Sequence, residues 1–282
     1  MICNALFRRG SARFVMAAMI AAALVQNHAR GASLFSVTAG NSQINEIDAD
    51  TGTLLNSFAA PITPQGGGGS GLAYSGSHLY FSDITTPTLY RLHPSTGAVL
   101  GTFVHPQGNS IDALGYGATS YGPTLFTLNY NANRVSLLNP LTGALFASYV
   151  STHNLIGGMD FHAGRNSLFV SGQGNMVFEL NPSTGALLNS FTTGLPSSTI
   201  QVGVGIVEGR LFTAFQRGTS ISERDPATGA IINTFASPGG AVSALAGGAV
   251  PEPASGLLLT IGAFLSVALS MRRRASLTPC PC

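Results

Sequence analysis

NPSTGALLNSF, residues 181–191, decides the fold, because the chain repeats it. Four further segments align with it without gaps: DADTGTLLNSF (48–58), HPSTGAVLGTF (93–103), NPLTGALFASY (139–149) and DPATGAIINTF (225–235). Their pairs Thr51-Gly52, Thr96-Gly97, Thr142-Gly143, Thr184-Gly185 and Thr228-Gly229 follow one another at spacings of 45, 46, 42 and 44. An aromatic stands seven residues after each Thr: Phe58, Phe103, Tyr149, Phe191 and Phe235. A Leu-aromatic pair precedes each Thr by 16 or 17 residues: Leu34-Phe35, Leu79-Tyr80, Leu125-Phe126, Leu168-Phe169 and Leu211-Phe212. Offsets kept through five copies mark a repeat architecture.

Each copy reads as short strands separated by turns. Pro is preset for the second position of a type I turn, Asn or Asp suits the position before it, and Gly supplies a positive φ. Asp48, His93, Asn139, Asn181 and Asp225 are therefore read as turn residues. One strand runs into each turn from Ile44, Leu89, Val135, Val177 or Ile221, a second carries the Leu-aromatic pair, and a third follows the Gly. A fourth precedes the later Leu-aromatic strands, at GLAY (Gly71), ALGY (Ala113), GMDF (Gly158) and GVGIV (Gly203). The first copy lacks it, and AVSALAG, from Ala241, stands spare at the other end. The expected fold is an all-β, five-bladed β-propeller over 32–249, with blades of about 44 residues, closed by pairing Ala241–Gly247 beside Leu34–Thr38. This domain resembles the broad propeller superfamily that includes NHL, streptogramin-lyase-like and quinoprotein-like repeats. The quinoprotein Asp…Thr-Gly…Trp pattern is echoed with Phe or Tyr in place of each Trp.

Composition sets limits. Only 9% of the chain is charged, and there is no Lys and no Trp. From Ala32 to Ala249 six Arg face ten Asp plus Glu, a net of about −4, which gives no footprint for nucleic acid. Cys3, Cys280 and Cys282 all lie outside this region, so no disulfide framework holds it.

The ends carry addresses. Arg8, Arg9 and Arg13 precede an uncharged apolar run, Phe14 to Val25, and then small residues at Ala29 and Gly31. This is the layout of a secretory signal over 1–31, with cleavage after Gly31 and passage through Sec-type export machinery; an N-terminal membrane anchor is the alternative. At the other end, Val250 and Pro251-Glu252-Pro253 precede 18 uncharged residues, 254–271, and then Arg272, Arg273 and Arg274. That length spans a bilayer, and the arginines stay cytoplasmic. Residues 250–274 resemble a PEP-CTERM sorting signal. The resemblance implies recognition by an exosortase-like membrane protease and sorting to the cell envelope or extracellular matrix. The tail 275–282 departs from the family, which usually stops after its arginines; a plain C-terminal anchor is the alternative.

Candidate chemistry is sparse. Asp112 and Asp160 lie on or beside the fourth strands, with Glu208 just after another. Propeller lactonases hold a Ca²⁺ in the channel with such acids, and Asp160 with His162, two apart on one strand face, could form a metal pair. A capped strand end is the simpler reading of that pair. His105 and His153 fall in loops, and Gly66 to Gly69 reads as a flexible insertion. No Ser-His-Asp order, zinc motif or phosphate loop is evident, so neither catalytic residues nor a cofactor are expected. Two functions remain: an exported, non-catalytic module recognising exopolysaccharide or a surface protein, and a propeller enzyme of lactonase or lyase type. The segments Ala59–Ser70, His105–Ile111 and Gly117–Thr124 vary most against the frame and are the expected recognition loops.

Overall fold

The computed structural model describes residues 32–40, 42–63, 69–108, 110–194, 201–216 and 218–247. The signal residues Ala29 and Gly31, the sorting residues Val250 to Pro253 and Arg272 to Arg274, the apolar stretch 254–271 and the tail lie outside them. Among the described residues no helix is long and apolar enough to cross a membrane.

Among the described residues twenty strands form five four-stranded antiparallel sheets. From the axis outward, blade 1 is β20 (Val242–Gly247), β1 (Ser33–Thr38), β2 (Gln43–Asp48) and β3 (Leu54–Ala59). Blade 2 is β4 (Ser70–Tyr74), β5 (Leu79–Asp83), β6 (Thr88–Leu92) and β7 (Val99–Val104). Blade 3 is β8 (Ile111–Thr119), β9 (Gly122–Asn129), β10 (Arg134–Leu138) and β11 (Leu145–Val150). Blade 4 is β12 (Leu155–His162), β13 (Ser167–Gly172), β14 (Met176–Leu180) and β15 (Leu187–Thr192). Blade 5 is β16 (Gln201–Val207), β17 (Arg210–Phe215), β18 (Ser220–Arg224) and β19 (Ile231–Ala236). The inner strands β4, β8, β12, β16 and β20 pack in a closed ring. This is a five-bladed β-propeller.

The closure is the one the repeat count demands. β20 pairs with β1 from Leu34↔Gly247 to Thr38↔Val242. Without it the inner edge of β1 would expose unpaired N–H and C=O groups. The cores lie between blades: one cluster joins Phe126 and Leu137 of blade 3 to Met159 and Leu168 of blade 4, and another joins Leu34 and Ile47 of blade 1 to Phe212 of blade 5.

The repeated residues explain how blades seat on one another. Asp48, Asn139, Asn181 and Asp225 each accept N–H bonds from the residues two and three ahead, and His93 accepts one through Nδ1 from Ser95. The turn Gly then has φ between +69° and +75°. It also lies under the aromatic of the preceding blade: Gly52 under Phe235, Gly97 under Phe58, Gly143 under Phe103, Gly185 under Tyr149 and Gly229 under Phe191. A Cβ at any of these positions would meet that ring at 2.1 to 2.6 Å. Thr-Gly and the aromatic seven residues on are thus the two halves of a seam, which the chain joins end to end where Phe235 meets Gly52.

Other parts of the repeat are less buried than an apolar strand suggests. The residues that open the outer strands, such as Leu54-Leu55 and Ile231-Ile232, remain exposed, because they face the rim. Two loop expectations also change. Gly117–Thr124 is a strand hairpin, since β8 and β9 pair through to Thr119↔Gly122 around a two-residue turn with Gly122 at φ +84°. His105 is 1% exposed, with Nε2 2.8 Å from Thr127 Oγ1. Burial lowers its pKa to about 4, so it is a neutral interior residue and not a solvated one.

Candidate functional site

In an antiparallel blade the first and third hairpins lie at one end of the propeller. That end carries the Thr-Gly turns and is called the turn face here. The connections between blades lie at the other.

Cross-strand register gives each blade a row near the turn face. From the axis outward the rows read Ala246–Phe35–Glu46–Asn56, Ala73–Tyr80–Arg91–Gly101, Gly115–Phe126–Leu137–Ala147, Asp160–Phe169–Glu179–Asn189 and Gly205–Phe212–Glu223–Asn233. Asp160 is the one acid at the innermost position of these rows. The other four are Ala or Gly, which keeps the axis narrow: a Cβ on Gly115 would lie 3.2 Å from Asp160 Cα.

Asp160 is 3% exposed. Its Oδ2 accepts N–H bonds from Ile206 (2.7 Å) and Gly247 (2.9 Å), and Oδ1 accepts one from Phe161 (2.8 Å). The Tyr116 N–H also acts on it. These donors belong to β8, β12, β16 and β20, so one carboxylate ties four blades together on the axis. Burial raises its pKa to about 7, outweighing the pull of the four N–H groups toward the charged form.

Asp112 lies three residues before the row position of β8, about 10 Å along the axis at strand rise. Its Oδ2 accepts the Gly157 N–H at 3.0 Å and so hooks blade 3 to blade 4. Burial, opposed by that bond and assisted by the nearby Asp83, raises its pKa to about 6. His162 uses both ring nitrogens: Nδ1 accepts the Arg165 N–H (3.2 Å) and Nε2 faces the Gly209 carbonyl (3.1 Å). The metal expectation thus places its residues on separate tasks: Asp160 and His162 bond to different backbone groups, and Asp112 lies elsewhere along the axis. Among the described residues no three His, Cys, Asp or Glu come together as a metal site. Glu208 is exposed in a hairpin at φ +51°.

A concave feature among the described residues lies on the turn face between blades 2 and 3. It is a cleft of about 300 Å³. Its walls are the β4–β5 hairpin with Ser77 and His78, the long β8–β9 hairpin with Tyr121, and the blade 3 turn at Asn139 to Leu141. Its rings form two near-parallel pairs: Tyr80 with Tyr116, centroids 6.0 Å apart at 8°, and Tyr121 with Phe146, 5.2 Å at 10°. No acid lines it. The sequence marked Gly117–Thr124 as irregular but did not single out these tyrosines. A signal was present: five residues before each Thr stand Glu46, Arg91, Leu137, Glu179 and Glu223, so blades 2 and 3 break the row.

No protein-family model matches the chain, and no curated protein matches it. Among solved structures it is similar to the glutaminyl cyclase of Myxococcus xanthus, at 18% identity and TM-score 0.48 over 58% of this chain and 68% of that one. It is also similar to a protein of unknown function from Bacteroides caccae, at 14% identity and TM-score 0.44 over 73% of each chain. A third is the computationally designed Ika8 protein, at 15% identity and TM-score 0.39 over 75% of this chain and 61% of that one.

Proposed function

We propose that this chain is an exported, non-catalytic binding module, sorted to the cell envelope or matrix, that recognises a glycan or a surface protein through its propeller. The observation that carries the binding part is the contrast between cleft and channel. The channel carboxylates Asp112 and Asp160 are engaged by backbone N–H groups of neighbouring blades. The cleft instead is lined by aromatic rings, hydroxyls and an imidazole in a concave site, with Tyr121 half exposed. The destination rests on the sequence: the basic, apolar and small-residue order of 1–31, and Pro251-Glu252-Pro253, the apolar stretch 254–271 and Arg272 to Arg274. Sec-type machinery and an exosortase-like protease are the proposed processing partners, with the C-terminal stretch as inner-membrane anchor before or instead of cleavage.

Fractionation of the producing cells tests the destination. The protein should lie outside the cytoplasm, and changing Pro251-Glu252-Pro253 to alanines should block its sorting without unfolding the propeller. Full-length protein in the cytosol would overturn export, and normal sorting of the variant would leave a simple anchor. Pull-down with native exopolysaccharide and with surface proteins tests binding. Ca²⁺-dependent lactone turnover abolished by Asp112→Ala or Asp160→Ala would replace the module with the enzyme reading.

A further inference from the structure

We propose that the cleft between blades 2 and 3 is a saccharide site that takes one neutral or acidic pyranose unit, stacked against the aromatic pair of Tyr121 and Phe146. The proposal rests on the binding-module reading above and names its ligand.

The argument starts from what a pyranose presents. One face of the ring is a patch of C–H groups, and its edge carries hydroxyls, each a donor and an acceptor. A site for it needs a flat apolar surface beside short polar side chains. A flexible apolar pocket would leave the hydroxyls unpaired, and each unpaired group would count against binding. The cleft has the required combination. Tyr121 is 50% exposed and is held flat by its near-parallel stack on Phe146, 5.2 Å away. A second stack, Tyr80 on Tyr116, backs the site, with Tyr80 itself buried. Around these stand Ser75, Ser77, His78 and Asn139. Ser77 Oγ and His78 Nδ1 lie 2.9 Å apart, and burial with the nearby charges of Arg91 and His93 lowers the His78 pKa. A neutral imidazole offers one donor and one acceptor. The size, about 300 Å³, lies at the small end of ligand sites, which suits one ring and not a long chain.

The row break gives the charge preference. In blades 1, 4 and 5 the third row position is Glu, bonded to Ser33, to Ser167 with Arg165, or to Arg210. In blade 2 the same position is Arg91, and its Nε is buried with no hydrogen-bond partner among the described residues. In blade 3 it is Leu137. The blades that frame the cleft are those that lost the acid, so the local field is positive and a cationic amino sugar is disfavoured.

The test uses the full-length chain in detergent, titrated with oligosaccharides of glucose, glucuronate and glucosamine type by calorimetry. Binding of a neutral or acidic oligosaccharide is expected, with glucosamine oligomers at least tenfold weaker. Tyr121→Ala should weaken binding at least tenfold at unchanged thermal midpoint, Tyr121→Phe should restore it, and Arg91→Gln should narrow the glucosamine penalty. Saccharide binding that Tyr121→Ala leaves unchanged would overturn the cleft assignment while the binding-module reading stands. A preference for glucosamine oligomers would overturn the charge argument. Failure to bind any of the three probes would overturn the saccharide assignment, and the module reading would then be decided by the surface-protein pull-down.

Discussion

Blades 1, 4 and 5 differ from blades 2 and 3 on one frame. All five share the seam in which an aromatic seats on the next blade's turn glycine. In the first group the row beyond the inner strand continues as Phe, Glu, Asn. The acid is bonded within its blade, and Asn56 and Asn189 reach the next blade's turn through Ser95 O and Ala227 O. Where blade 5 meets blade 1 a charged network is added to the seam. Arg210 holds Glu223 through Nε (2.8 Å) and Nη2 (2.9 Å), pairs with Asp50 of blade 1, and donates to Ala49 O. Between blades 2 and 3 the corresponding space is an aromatic hollow with no acid in its lining. The repeat thus keeps its seam through all five blades while its row varies.

The largest effect should come from the axis, which both groups share. Asp160→Ala leaves four backbone N–H groups without their acceptor in a buried site, and should cost at least about 3 kcal/mol in urea unfolding. A loss below 1 kcal/mol would mean that these donors find water. The same residue sets a pH dependence. Its folded pKa of about 7 lies above the ordinary aspartate value of 3.8, so the folded state holds the extra proton between them. Its contribution is therefore present in acid and lost as pH rises from about 4 to about 7. Asp112 acts in the same sense up to about 6, while His105, lowered to about 4, acts oppositely up to 6.5. Asp160→Asn should remove the Asp160 part of the fall in thermal midpoint between pH 4 and 7; an unchanged profile would refute the assignment.

Next in size are the seams. Gly52→Ala and Gly143→Ala force a side chain into a positive φ and against Phe235 or Phe103. Both should cost about 2–3 kcal/mol, equally at the charged seam and at the cleft seam. A large difference between them would show that the two groups do not share a seat. Arg210→Ala should cost about 2 kcal/mol, chiefly by leaving Glu223, 8% exposed, without its cation. Asp50→Ala should change little, because that partner is largely exposed. Smallest is Tyr149→Phe. Tyr149 carries the only hydroxyl among the five seam aromatics, and it is buried without a partner among the described residues. Its removal should be neutral or stabilise by up to about 1 kcal/mol. Destabilisation would point to a bound water.

Offsets fixed by local chemistry were legible in the chain by itself. A positive-φ glycine after an Asx-type turn, a Leu-aromatic strand and a spare fourth strand determined blade number, blade boundaries and closure, because each depends on residues within one copy or on a count of copies. The cleft and the axial clasp were decided by the tertiary structure. Asp160 looks like one acid among ten until the ring brings the N–H groups of Tyr116, Ile206 and Gly247 to it from blades 44 to 87 residues away. Tyr80, Tyr116 and Tyr121 fill ordinary strand and turn positions in sequence, and become one site when blade 2's hairpin comes to stand beside blade 3's. Strand periodicity reports which face of a blade is apolar. It carries no information on which two blades, once the ring has closed, leave a gap between them.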